Sequence, residues 1–264
     1  MSLTTMIQAV KYPHRKVALK YVIRYPSLAL AFFDITHRKC MTRCLTRISG
    51  RKDLNPELFS PPKYFMDYLQ NLGCGNPSDY WLLLYALIRY YQPEIVVETG
   101  VGPNGASSAF ILCAMRENSK GHLYSIDLPP WMANISDPVR RKGVVEYSLA
   151  DGQLHRDDGS NQIGRLIPDS FKTRWTLVLG DSVTKLPLLL SDIGKLGFFF
   201  HDSLHTREQM KFEFETAWPR IDKDGFLISH DVIWNDAFLD FCNGVGGSPI
   251  IFGTLGFLKK SEST

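Results

Sequence analysis

One stretch restricts the fold of this chain more than any other: PEIVVETGVGPNGASSAFILCAMRENSKGHLYSID, residues 93–127. Residues 95–97 are a β-branched run suited to a strand and closed by an acid, Glu98. Gly100, Gly102 and Gly105 follow in G-x-G-x-x-G spacing, and residues 106–116 are small and apolar, as a helix needs. Residues 122–126 form a second strand-like run that ends in another acid, Asp127. Strand, glycine turn, helix, strand and acid make one βαβ unit with a nucleotide-type site at its switch point. Glycine permits positive φ and close backbone approach to a ligand. The free N–H groups at the helix start face the same crevice.

G-x-G-x-x-G alone also fits an NAD-dependent oxidoreductase. Glu98, two residues before the first glycine, separates the readings: a carboxylate there repels a pyrophosphate but suits the ammonium of an amino-acid moiety. Asp127 can take two ribose hydroxyls in either case. The string E-x-G-x-G-x-x-G followed by Asp127 resembles class I S-adenosylmethionine (SAM) methyltransferases. That resemblance implies SAM held by Glu98, Gly100, Gly102, Gly105 and Asp127.

Length and composition bound the rest. With 264 residues and 44% hydrophobic content, the chain can bury the core of one α/β domain and carry an appendage. The net charge of +3 is unevenly spread: residues 1–50 hold nine lysines and arginines against one acid, Asp34. No apolar run approaches the roughly 18 residues that span a bilayer. The longest candidate, residues 17–33, is broken by Lys20, Arg24 and Pro26. No signal-peptide layout is present. Cysteines 40, 44, 74, 113 and 242 are scattered without zinc-type C-x-x-C pairs. Reduced thiols and a cytoplasmic location are the expectation.

Residues 1–60 read as a basic helical extension and residues 61–264 as the main domain. Helices are expected over 4–24 and 27–47, interrupted at Pro26. Leu28, Leu30, Phe32 and Phe33 can form an apolar face opposite Arg38, Lys39, Arg43 and Arg47. Such a segment can pack on the main domain, serve as a lid, join a twin subunit in a homo-oligomer, or meet a membrane surface or acidic partner. Nucleic acid is not expected, because interleaved stacking residues are missing. Residues 51–62, with their prolines, read as the linker.

Helices are expected over residues 64–69 and 79–91, the second capped by Ser78 and striped by Leu82, Tyr85, Ala86 and Arg89. The long connection 128–174 has the composition of an exposed loop. It also borders the ligand crevice, as a lid would, and Trp131 within it either stacks on a ligand or packs. Residues 175–179 make a third strand, followed by Asp181 and Ser182, which suit either a helix cap or the adenine edge. Residues 197–200 make a fourth strand, buried on both faces. A helix striped by Met210, Phe214, Ala217 and Trp218 follows it, then a turn at 222–225, a fifth strand at 225–229 and a helix over 235–243. The tail has room for two short strands, 249–253 and 255–259. The expected fold is α/β: a Rossmann-like, doubly wound, mostly parallel sheet with helices on both faces and an N-terminal helical extension.

The strings RWTLVLGDS, FFFHDSLHT, FEFETAWP and GFLISHDV resemble one methyltransferase branch. It is the branch of the macrolide-sugar O-methyltransferases and the cephalosporin-biosynthesis methyltransferase/hydroxylase group. The resemblance implies adenine contacts from Asp181 or Ser182, a divalent-metal site at Asp202, His230 and Asp231, and His205 as general base. The branch usually has an acid at position 230. Magnesium prefers oxygen ligands, so a histidine there suits manganese, iron or zinc better, or a metal-free base mechanism. The chemistry is coherent without the resemblance, since a metal-bound hydroxyl is acidified and oriented and a nearby histidine can take its proton. The reading is O-methylation of a small hydroxylated acceptor, a sugar or secondary metabolite. An NAD-dependent oxidoreductase, a hydroxylase-like enzyme and a non-catalytic SAM-binding subunit are the alternatives.

Overall fold

The computed structural model describes residues 37–51, 53–128 and 163–261. The helices expected before residue 37, most of the 128–174 connection and Trp131 lie outside the described residues. Strand β1, Ile95–Thr99, is an interior strand, third in a seven-stranded sheet. Around it stand β2 (His122–Asp127), β3 (Trp175–Leu179), β4 (Leu196–His201), β5 (Ile221–Ser229), β6 (Ile250–Phe252) and β7 (Leu255–Lys259), in the order β3-β2-β1-β4-β5-β7-β6. The first five strands run parallel, while β7 is antiparallel to both β5 and β6. This is the expected Rossmann-like, mostly parallel sheet.

Alternation along the strands sorts the core into two layers, because successive side chains point to opposite faces. Val96, Phe198, Phe200, Phe226 and Ile228 face one side. There they meet helices α1 (His37–Ser49), α2 (Lys63–Asn71), α3 (Asp79–Tyr91) and α4 (Ala106–Glu117). Val97, Phe199 and Leu227 face the other, under α5 (Ser182–Ile193), α6 (Arg207–Ala217) and α7 (Ala237–Gly244). With both faces covered, the strands can be continuously apolar.

Several elements differ from expectation, each for a packing reason. Helix α3 is buried from Leu83 through Ile88 rather than along one stripe, because α1 and α4 cover what the sheet does not. Ser78 stands at its N-cap position but makes no side-chain cap bond, and its hydroxyl oxygen is buried without a hydrogen-bond partner among the described residues. Helix α1 sends Met41, Cys44, Leu45 and Ile48 into the same core, and the Tyr91 hydroxyl donates to the Ile48 carbonyl at 3.2 Å. The stretch read as a linker contains a 3-10 turn, Pro56–Phe59, whose Phe59 is buried in that core. The turn expected at 222–225 lies inside β5 as an irregularity in its pairing with β4, with Asp224 at φ 66°. Cys74, Cys113 and Cys242 are free thiols.

The ends of the central strands lie level with one another. Thr99 pairs with Ile126 on one side and His201 on the other, and His201 pairs with Ser229. The turns after β1, β2, β4 and β5 therefore leave one edge of the sheet together. Among the described residues, no helix is long and apolar enough to cross a membrane.

Candidate active site

The glycine turn has the backbone its spacing demands. Gly100, Gly102 and Gly105 have φ of 85°, 64° and 61°. The sequence assigns these glycines to ligand approach, yet two of them also have close neighbours in the protein. A Cβ on Gly100 would stand 2.1 Å from the Asp202 carbonyl oxygen, and one on Gly105 would stand 2.6 Å from Gly164 Cα. The chain returning at Gly164, Arg165 and Leu166 donates its N–H groups to the carbonyls of Gly102, Pro103 and Asn104. The turn is thus clasped between that returning segment and the end of β4.

Asp127 closes β2 and accepts from the Val101 N–H at 3.3 Å. Burial pushes its carboxyl up to about 6, against the opposing effect of the Val101, Gly102 and Leu128 N–H groups. Glu98 is fully buried. Its carboxylate faces the hydroxyls of Ser108, Ser125 (2.6 Å) and Ser107 (3.5 Å), and the Trp175 indole donates to Ser125 at 2.7 Å. Burial pushes Glu98 up to about 7; the two closest serines oppose this, while Asp202 and Asp127 add to it. A carboxyl raised above its unfolded value loses stability as pH rises through that raised value. Glu98→Gln is therefore expected to match the wild type below about pH 4.5 and exceed its stability above pH 7, by up to about 3 kcal/mol. Denaturant titrations across pH on cofactor-free protein check this.

Asp181 caps α5, accepting from the Val183 N–H at 2.9 Å. Ser182 is buried and donates to Glu213 at 2.6 Å, so its hydroxyl is engaged between α5 and α6. The Gly180 N–H donates to the Asp127 carbonyl at 2.8 Å, which sets the β3 turn beside the β2 acid.

The turns after β4 and β5 converge. The Asp202 N–H donates to the Thr99 carbonyl at 2.8 Å and the His230 N–H to the His201 carbonyl at 2.9 Å. Asp202 Oδ1 lies 3.1 Å from His230 Nδ1 and 3.7 Å from His205 Nε2. The ligand atoms of Asp202, His205 and His230 all fall within 4.8 Å of one another, a spacing that could hold a metal ion. Asp231, with φ 48°, stands beside this group, 3.6 Å from His230 Nδ1. The structure thus gathers His205, read from the sequence as a base, with two of the three residues read as ligands.

Electrostatics separate the histidines. His205 Nε2 is buried and finds no hydrogen-bond partner among the described residues. Burial, reinforced by His201 and His230, holds His205 well below the usual imidazole range, so it is neutral. For His230 burial acts in the same sense, but the Asp202 and Asp231 carboxylates outweigh it and raise the group to about 9.

Four further residues border this edge that the sequence did not single out. The Tyr80 ring lies 5.7 Å from His230, and Thr254 Oγ1 is 3.2 Å from His230 Nε2. Trp234, 48% exposed, has its ring 5.5 Å from His205. Its place three residues after Asp231 was the one available signal, whereas Tyr80 and Thr254 arrive from distant elements by packing. Beneath the edge lies Glu213, fully buried. Burial opposes its charge, but His201 and the hydroxyls of Ser182 and Thr99 more than compensate and bring it down to about 2.

The family model described as a methyltransferase domain matches residues 97–232, from within β1 to the turn after β5. Among solved structures, the chain is similar to a Podospora anserina methyltransferase bound to SAH (12% identity, 85% of this chain and 96% of that chain, TM-score 0.46). It is similar to TomG, an O-methyltransferase from Streptomyces achromogenes involved in tomaymycin synthesis, in complex with SAM (11% identity, 86% and 100% covered, TM-score 0.46). It is also similar to the O-methyltransferase NovP (14% identity, 76% and 80% covered, TM-score 0.49). No curated protein matches the chain.

Proposed function

The chain belongs to the methyltransferase-domain family, and from that premise we propose that it transfers the methyl group of SAM to an oxygen of a small hydroxylated acceptor, a sugar or secondary metabolite. The observation that carries the acceptor half is the convergence of Asp202, His205 and His230 beside the glycine turn, where Gly100 packs on the Asp202 backbone. Methyl transfer is an in-line displacement: the acceptor oxygen bonds to the methyl carbon, the carbon–sulfur bond breaks, and S-adenosylhomocysteine leaves. The acceptor proton must go elsewhere.

In this reading Asp127 takes the ribose hydroxyls, the glycine turn supplies close backbone approach, Asp181 borders the adenine edge, and Glu98 acts from below the turn. Neutral His205, with Nε2 free, accepts the acceptor proton. Asp202, His205 and His230 present one oxygen and two nitrogens, a donor set that fits manganese, iron or zinc better than magnesium. A divalent cation held there would engage the His205 nitrogen and would itself acidify and orient the acceptor hydroxyl, so that His205 is the base in the ion-free site and a ligand in the loaded one.

The cofactor half is tested by calorimetry with S-adenosylhomocysteine and NADH. S-adenosylhomocysteine is expected to bind and NADH is not; tight NADH binding would overturn the reading. Ribose hydroxyls donate to an ionised carboxylate, and Asp127 ionises near pH 6. Affinity should therefore climb as pH rises through 6 and level off above it. In Asp127→Asn it should be weaker and flat across that range.

A further inference from the structure

The carboxylate of Glu213, on α6, is surrounded by donors from four separate segments of chain. Thr99, the last residue of β1, donates to Oε2 at 2.5 Å, and His201, the last residue of β4, faces the same oxygen through Nδ1 at 2.7 Å. Because a carboxylate only accepts, that nitrogen carries the proton. Ser182, Ser203 and Gln209 donate to Oε1 at 2.6, 2.8 and 2.7 Å. A buried carboxylate is tolerated when its lone pairs are all met, and here both oxygens are fully engaged.

Three of these donors, Thr99, His201 and Ser203, stand around Asp202. His201 and Ser203 flank it in sequence, and both turn their side chains down to Glu213. Asp202, between them, turns the opposite way, to His230 at 3.1 Å. Thr99 immediately precedes Gly100, whose Cα packs on the Asp202 carbonyl, and the Asp202 N–H donates back to the Thr99 carbonyl. One carboxylate thus ties the residue before the glycine turn to the residues on either side of Asp202.

We propose that Glu213 is a positioning residue for the methyl transfer, its buried carboxylate fixing where Asp202 stands relative to the glycine turn and His230. The proposal rests on the reading of this edge as the methyl-transfer site. In-line transfer tolerates little error, since a misplacement of about 1 Å can lower the rate roughly 10²-fold. A carboxylate that joins the donor-side turn to the acceptor-side turn sets that spacing without touching either ligand.

The test is diffraction from crystals of the wild type, Ser203→Ala, Thr99→Val and Glu213→Gln. S-adenosylhomocysteine is titrated into each by calorimetry. The expected result is a shift of the Asp202 carboxylate by about 1 Å or more from its contact with His230, with the rest of the sheet in place and S-adenosylhomocysteine affinity unchanged. Asp202 holding its contact in all the variants, with only the melting temperature lowered, would show that Glu213 merely fills the core and would overturn the proposal. Loss of S-adenosylhomocysteine binding in step with the shift would also overturn it, as a general collapse of the edge. Should Glu213→Gln fail to fold, Ser203→Ala decides, because it removes one of five donors at a partly buried hydroxyl. A wild type that binds no S-adenosylhomocysteine would sink the methyl-transfer reading, while the position of Asp202 would still report on what Glu213 holds.

Discussion

His205→Ala is expected to lower methyl transfer by roughly 10²–10⁴-fold, the usual contribution of a positioned base, while leaving S-adenosylhomocysteine affinity intact. The separation follows from where the residue stands. His205 lies with Asp202 and His230 beyond the ends of β4 and β5, whereas the glycine turn follows β1 and Asp127 ends β2. Its ring packs against His201 and Trp234, so removing it leaves a cavity lined by rings rather than a broken strand. Formation of S-adenosylhomocysteine from SAM, followed over a panel of hydroxylated sugars and phenols, reads the chemical step, and calorimetry reads the affinity. Full activity in His205→Ala would mean that the acceptor proton leaves by another route.

The sheet is legible in the sequence because its signals are local. The β-branched run before Glu98, the glycine spacing and the acid at Asp127 lie within 35 consecutive residues and need no long-range information. Asp202, His205 and His230 are legible for a related reason: each closely follows an apolar run, and in a parallel sheet such runs end at one edge. What the sequence cannot fix is the direction of a side chain at a strand end. Glu98 and Thr99 are neighbours on β1, and alternation sends one to the serines of α4 and β2 and the other to Glu213 on α6. Ser182 likewise reads as a turn residue until α6 is laid against α5 and takes its hydroxyl. Glu213 itself sits in the string FEFETAW, where periodicity marks Phe214 and Ala217 as core and gives no reason to bury an acid. Only the tertiary arrangement, which brings five donors to one carboxylate, makes that burial tolerable. The turn expected at 222–225 was obscured in the same way, since β5 pairs with β4 on either side of these residues and carries them as an irregularity.

Asp202→Ala is expected to be at least as damaging as His205→Ala, a loss of roughly 10²-fold or more, and a chelator applied to the wild type should reproduce it. Asp202 is the one carboxylate among the three grouped donors, so its removal leaves two imidazoles, with Asp231 beside His230 as the remaining anion. A cation site of two neutral nitrogens holds a divalent ion far less well than one that includes a carboxylate. His230 would also lose the partner 3.1 Å away that holds it protonated in the ion-free protein. After chelation, manganese or zinc should restore activity better than magnesium, because imidazole nitrogens suit those ions and magnesium prefers oxygen. His230→Asp changes the donor set from one oxygen and two nitrogens to two oxygens and one nitrogen, and should shift the preference toward magnesium. Ion binding can be read apart from activity by following the manganese paramagnetic resonance signal during titration of wild type and Asp202→Ala. Activity that survives chelation but is lost in Asp202→Ala would assign Asp202 to the charge pair with His230 alone. The base would then work without an ion, and the low basicity of buried His205 would have to be offset by the acidity of the acceptor hydroxyl itself. Phenolic acceptors should in that case be methylated faster than sugars.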